Sequence, residues 1–203
     1  MSWLLTLADQ NMNGLTRIIR VEHRDHYGVT IKSDASPWGG GALMWRTWAA
    51  YQADDPADEY LQIPWNNLHE RLVSGRTGVP DFQADWEALM FVISLKTWTD
   101  TNIVGKVTVI GDAAGVISDL VAMKAKAKTI NNLVKETALH LAPLGLELDG
   151  LHVWAEHNTH ADELSRCLDE HTVPRWITTG TTTRATPTSC QSQVWSHCTA
   201  VSP

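Results

Sequence analysis

Cysteine is scarce in this chain of 203 residues. Cys167, Cys190 and Cys198 are too few and too irregularly spaced for a disulfide framework. A zinc module needs paired spacing, and His197–Cys198 has no matching pair nearby. A reduced, intracellular protein is therefore expected, in cytoplasm or nucleus. No run of about 18 apolar residues is present, which excludes a transmembrane helix, and no membrane partner is expected. The start, MSWLLTLADQ, lacks the basic residues and small-residue cleavage site of a signal peptide. Positive charge is also short: 16 Lys and Arg face 23 Asp and Glu, a net charge of -7. That balance argues against holding nucleic acid by overall charge. It leaves room for a site that collects divalent cations, which must itself be acidic. Phe and Tyr number two and three against ten Trp, an unusual ratio that names no function by itself.

What is present suffices for a core. Hydrophobic residues make up 43% and charged residues 19%, the balance of a globular domain, and the length allows one domain with peripheral sequence. Residues 1–27 read as a lead-in, with LTRIIRV as a candidate strand. YGVTIKSDAS alternates strictly, Val29, Ile31 and Ser33 on one face and Thr30, Lys32 and Asp34 on the other, and stops at Pro37. A second strand, Gly41–Trp48, is expected after a Gly39-Gly40-Gly41 turn, making a hairpin. Residues 49–83 read as a long polar insertion holding one more strand around Tyr60–Ile63. Asp85 is the expected N-cap of a helix over Trp86–Thr99, where Ala88, Phe91, Val92 and Leu95 recur at helical spacing.

KVTVIGD is a β-branched strand ending in Asp112. Helices are expected over Ala113–Met123 and Ile130–Leu141, the latter closed by Pro143 and Gly145. Leu146–Trp154 reads as a strand and Ala161–Leu168 as a short helix. From His171 the Thr, Ser and Pro content predicts a tail without order of its own. The order of elements implies a mixed α/β domain with one sheet covered by helices.

Four carboxylates stand where a strand-based metal site needs them. Asp34 and Asp112 end strands, Glu87 lies in the first turn of a helix, and Asp162 opens the last helix. The carboxyl ends of strands in an open α/β sheet face a shared crevice. Four acids gathered there repel one another unless cations neutralise them. Mg²⁺ is the natural partner, because it takes carboxylate oxygens and keeps several waters. A pair of such ions activates water and stabilises the leaving oxygen in phosphodiester cleavage.

The segments SDASPWGGG, DWEALMFVISLKTW, VTVIGDAAGVI and HVWAEHNTHADELSR occur in the order, and on the elements, of the ribonuclease H-like domains that follow reverse transcriptase in retroelements. The chain most resembles the DIRS-type and related families over residues 28–170. His152, Asn158, Ala161, Asp162, Leu164, Ser165 and Arg166 match the last motif of those families. The resemblance implies a ribonuclease H-like fold with a central mixed five-stranded sheet flanked by helices. It also implies that Asp34, Glu87, Asp112 and Asp162 bind two Mg²⁺ ions, with Mn²⁺ as a substitute. The resemblance further implies that His152, or His157, assists product release or proton transfer. The implied substrate is the RNA strand of an RNA–DNA hybrid, recognised by shape and 2′-hydroxyls. A reverse transcriptase domain in the same polyprotein is the implied partner. Three features depart from the family pattern: Ala113-Ala114 after Asp112, the length of 49–83, and Trp154-Ala155 in place of Pro-Gly.

Plainer roles stand beside these. Asp162 is a good N-cap, and Glu87 suits the positive end of a helix. His152 is more often a strand residue with a satisfied hydrogen bond. Lys124, Lys126 and Lys128 form a compact basic cluster that is equally a solvated helix end and a phosphate-contacting handle. Arg17, Arg20 and Arg24 are candidates to extend it. Trp38 sits beside the acids as a base-stacking candidate, and Asn158 is a nucleic-acid-binding candidate that also fixes the loop. Three function classes follow: an active hybrid-specific ribonuclease, a degenerate remnant serving as connector or nucleic-acid-binding piece, and a DNA-directed relative such as an integrase or exonuclease. An integrase would place its key Glu on a late helix, which weighs against the third.

Overall fold

The computed structural model describes residues 28–99, 103, 105–167, 174, 176–177 and 182–186. The lead-in 1–27, with its three arginines, and most of the Thr- and Ser-rich tail lie outside the described residues.

Six strands form one sheet in the order β5-β4-β1-β2-β3-β6. β1 (Val29–Ala35) runs antiparallel to β2 (Gly39–Trp45) and parallel to β4 (Lys106–Gly111). β2 runs antiparallel to β3 (Glu59–Pro64), and β4 runs parallel to β5 (Glu147–His152). The mixed sheet flanked by helices is the architecture expected from the sequence. Among the described residues the sheet has six strands, because β6 (Thr183–Arg184) pairs in parallel with β3.

β2 begins at Gly39, two residues earlier than its expected start, so the glycines are strand rather than turn. The turn is Ser36–Trp38, closed by the Ser36 amide donating to the Gly39 carbonyl at 2.8 Å. The glycines serve close approach. A Cβ on Gly40 would lie 2.3 Å from Met90 Sδ, and one on Gly41 would lie 2.6 Å from the Ala161 carbonyl oxygen. Trp48 opens α1 (Trp48–Gln52), whose N-cap Thr47 accepts from the Ala50 amide. The polar segment 49–83 thus carries α1, β3, α2 (Asn67–Val73) and a short Pro80–Phe82 turn.

α3 (Gln83–Trp98) starts three residues before Trp86, because the Pro80–Phe82 turn runs directly into it. Phe82 is the N-cap residue, and Asp85 falls inside the first turn instead of capping it. Every residue from Trp86 to Lys96 is buried, the pattern of a central helix rather than a surface one. α4 (Ala114–Val121) and α5 (Lys128–Leu144) pack on the same side. α5 runs through Pro143 in its last turn and ends at Gly145 in the left-handed region, φ 64°. Ile31, Val109, Trp86, Phe91 and Leu133 belong to the apolar cluster that fills this layer.

α6 (Thr159–Arg166) covers the other face of the sheet. Alternation decides which residues it meets: Ala42 and Met44 join the α3 side, while Leu43 and Trp45 form a second, smaller cluster with Leu164 and Ile177. Ile177 therefore packs inside a segment expected to be a loose tail. The Thr183 amide donates to the Asp58 carbonyl at 3.0 Å and the Ala185 amide to the Tyr60 carbonyl at 2.8 Å. The free edge of β3 offers backbone partners to any residue type, which side-chain composition does not report.

Candidate metal centre

Because β1 and β4 are parallel neighbours, their carboxyl ends lie at the same end of the sheet. Asp34 sits one residue from the end of β1, and Asp112 directly follows β4. Glu87 comes one turn into α3. One ligand oxygen from each of these three residues lies within 4.8 Å of the others. Asp34 and Glu87 are each only 5% exposed, and Asp112 is half-buried.

Burial and crowding control the protonation of Asp34 and Glu87. Burial, then the charge of Asp112, raise the Asp34 carboxyl to about 7, against the Ser165 hydroxyl that favours its ionised form. Burial pushes Glu87 well above the usual carboxylate range, with the charges of Asp34 and Asp112 adding to it. Gln83, one turn earlier on α3, donates from Nε2 to Glu87 Oε1 at 3.0 Å and also to the Ala35 carbonyl. Glu87 Oε2 is buried with no hydrogen-bond partner. An orphaned carboxylate oxygen in a group of three acids is a donor that a divalent cation would satisfy. The donors are all oxygen, with no His or Cys in the group, so the chemistry suits Mg²⁺ or Mn²⁺ over zinc.

The fourth carboxylate is elsewhere. Asp162 Oδ1 accepts from both Nε and Nη2 of Arg166 at 2.7 Å, an i,i+4 pair on one face of α6. It lies outside the three-residue group, although its charge still reaches Asp34. Asn158, expected to contact nucleic acid or fix the loop, is instead buried against Asp34 and turned away from solvent. It is 1% exposed, and its Nδ2 donates to Asp34 Oδ1 at 3.1 Å and to the Ser33 carbonyl at 3.2 Å. Sequence reasoning gave no role to Ser165, whose hydroxyl donates to Asp34 Oδ2 at 3.0 Å. The signal was available: Ser165 lies three residues after Asp162, on the same helix face. Gln83 was missed because the helix was started after it.

His152 ends β5 opposite Gly111, exposed and edge-on to Trp154 at 5.5 Å between ring centroids. It is not part of the acid group. Trp154 is exposed, and a short Ala155–His157 turn follows it. Trp38 is 52% exposed in the turn just after Asp34. Its carbonyl accepts from the Trp65 amide at 3.0 Å, and its ring lies over Gly78, where a Cβ would come within 2.6 Å. Lys124 and Lys126 are exposed between α4 and α5, and the exposed Lys128 opens α5. Since α4 starts beside Asp112, its eight residues carry that cluster roughly 12 Å along the helix from the acids.

No family model matches the chain, and no curated protein matches it. Solved structures do resemble it. LC11-RNase H1, isolated from compost by a metagenomic approach, aligns at a TM-score of 0.44 and 14% identity over 69% of this chain and 92% of that one. The N-terminal RNase H domain of a Mycobacterium tuberculosis protein aligns at 0.46 and 18% identity, over 68% and 95%. LC11-RNase H1 in complex with an RNA/DNA hybrid aligns at 0.46 and 16% identity, over 67% and 92%.

Proposed function

We propose that this chain is a metal-dependent endonuclease of the ribonuclease H type, hydrolysing the RNA strand of RNA–DNA hybrids. The observation that carries the reading is the buried Asp34–Glu87–Asp112 group with its orphaned Glu87 oxygen. The motif resemblance supplies the substrate class and the retroelement setting. In that setting residues 28–170 form the nuclease module, and a reverse transcriptase domain belongs to the same polyprotein.

Asp34, Glu87 and Asp112 hold the cations, Mg²⁺ with Mn²⁺ as a substitute, and Asp162 completes the set once freed from Arg166. Bound there, the metal supplies Lewis-acid activation of water and charge stabilisation at the cleaved phosphate. Gln83 and Asn158 hold two of the carboxylates, so the geometry exists before substrate arrives. Trp38, fixed by its backbone and by Gly78, offers a rigid stacking face beside the cut. The exposed Lys124, Lys126 and Lys128 meet backbone phosphates away from the acids. His152 stands at the rim, where it assists proton transfer or product release. Hydrolysis leaves a 3′-hydroxyl and a 5′-phosphate, as the resemblance implies.

The ion pair between Asp162 and Arg166 favours one alternative, a remnant that keeps the fold and binds nucleic acid without cutting it. One assay separates the readings. The purified chain is incubated with labelled RNA–DNA hybrid, with and without Mg²⁺ or Mn²⁺, beside Asp112→Asn, double-stranded DNA and single-stranded RNA. Metal-dependent cutting of the hybrid's RNA alone, abolished in the variant, is expected. A folded, metal-saturated protein that cuts nothing supports the remnant, and cutting of DNA supports an integrase- or exonuclease-like enzyme.

A further inference from the structure

The Asp34 carboxylate is gripped from the far face of the sheet by two residues of one short stretch. Asn158 Nδ2 donates to Oδ1 at 3.1 Å, and Ser165 Oγ donates to Oδ2 at 3.0 Å. Both partners are buried, Asn158 at 1% exposed and Ser165 at 0%. The single proton on Ser165 has a second acceptor, the Asp162 carbonyl at 2.9 Å. An ionised carboxylate is the stronger acceptor, so the proton belongs to Asp34 whenever that group is charged.

The backbone around Ser165 is stitched down as well. Ser36 Oγ donates to the Ser165 carbonyl at 2.7 Å and receives the amides of Trp38 and Gly39 at 3.2 and 3.1 Å. Gly41 has no Cβ, and one placed there would come within 2.6 Å of the Ser165 amide nitrogen. The hydroxyl therefore has little freedom to leave Asp34. With one hydrogen bond on each oxygen, the carboxylate is fixed in rotation, and each oxygen keeps a lone pair for a cation on the crevice side.

We propose that Ser165 is a positioning residue for metal binding, setting with Asn158 the orientation in which Asp34 meets the cation. The inference rests on the metal-dependent reading of the site. It adds a dependence on α6 that the three carboxylates alone would not have. A graded series tests it: Ser165, Ser165→Cys and Ser165→Ala, in falling order of donor strength at similar volume.

Mn²⁺ affinity is measured by calorimetry on each full-length protein without nucleic acid, beside Asp34→Asn, with the thermal midpoint of the metal-free protein as control. The expected result is a graded loss, with Ser165→Ala about tenfold weaker than the native chain and Ser165→Cys between them. The metal-free midpoints should stay within a few degrees. Equal Mn²⁺ affinity in all three overturns the positioning role while leaving the metal site intact. No Mn²⁺ binding by the native chain, matched by Asp34→Asn, overturns the metal-dependent reading and this inference together. Should Ser165→Ala fail to fold, Ser165→Cys decides alone: native affinity counts against the proposal, weakened affinity for it.

Discussion

On one side of the sheet, α3 brings Trp86, Phe91 and Leu95 into a single apolar cluster with Ile31 and Val109. On the other side, α6 shares only a small cluster with Leu43 and Trp45, and is tied to β1 by Asn158, Ser165 and Ser36. Burial of each large side chain on the first side contributes about 1.5–3 kcal/mol, but that force has no direction. Hydrogen bonds are directional, and those on the second side converge on Asp34. The thick apolar layer holds the fold together, and the thin polar one orients the Asp34 carboxylate. Glu87 belongs to the first side by its helix and to the second by the acids it meets, Asp34 and Asp112.

The contrast can be broken from either side. The largest effect is expected from Lys96→Met, which takes the ammonium group away from the buried Glu136 carboxylate. Their 3.1 Å ion pair joins α3 to α5 with both side chains 5% exposed. Losing one partner should cost about 3–5 kcal/mol, while Lys96→Met with Glu136→Leu should recover most of it. Chemical denaturation measures both, and neither change should alter Mn²⁺ affinity. Metal is the next lever. Mg²⁺ at one hundred times its dissociation constant should stabilise the native chain by about 2.7 kcal/mol, and Asp34→Asn by none. A thermal shift of equal size in both proteins would remove Asp34 from the site.

Gly41→Ala attacks the polar side. Its Cβ would meet Leu164 Cβ at 2.3 Å and backbone atoms of α6 at 2.6 Å, contacts that only a shift of the helix relieves. About 1–3 kcal/mol should be lost, and Mn²⁺ affinity should fall with it, unlike in Lys96→Met. The smallest effect concerns α2, where buried His69 completes a capping box by accepting the Asn66 amide at 3.2 Å. Burial lowers its pKa from 6.5 to about 4, so the unfolded chain binds the proton first as pH falls. Its contribution is thus complete above 6.5 and lost towards 4, about 1 kcal/mol between pH 6.5 and 5.5. The raised Asp34 works the opposite way, its folded form holding a proton up to about 7. The difference between the native chain and His69→Gln isolates the histidine, and stability curves of identical slope would refute its role.

Much of this arrangement is written locally. The alternation in VTIKSDA sets Val29 and Ile31 against Lys32 and Asp34, and the structure keeps them on opposite faces. The β-branched run before Asp112 and the helical spacing after Glu87 likewise place two carboxylates on the right elements. Such patterns are legible because strand and helix periods depend on neighbours in sequence. The glycines of β2 misled for the same reason: a turn is their usual use, and the bodies they admit, Met90 and α6, lie far away in the chain. The β6 strand and the buried Ile177 were hidden inside a composition that cannot order itself, since their partners are the edge of β3 and the face beneath α6.

The sequence by itself determined which residues are acidic, which elements carry them and the mixed α/β layering. Tertiary structure decided which acids meet. Asp34, Glu87 and Asp112 converge because two parallel strands end beside one helix, whereas Asp162 turns to Arg166 on its own helix. It also decided that Ser165 and Asn158, rather than solvent, hold Asp34. A hydrogen bond 131 residues apart along the chain leaves no periodic trace, because its geometry exists only after the sheet and α6 have packed.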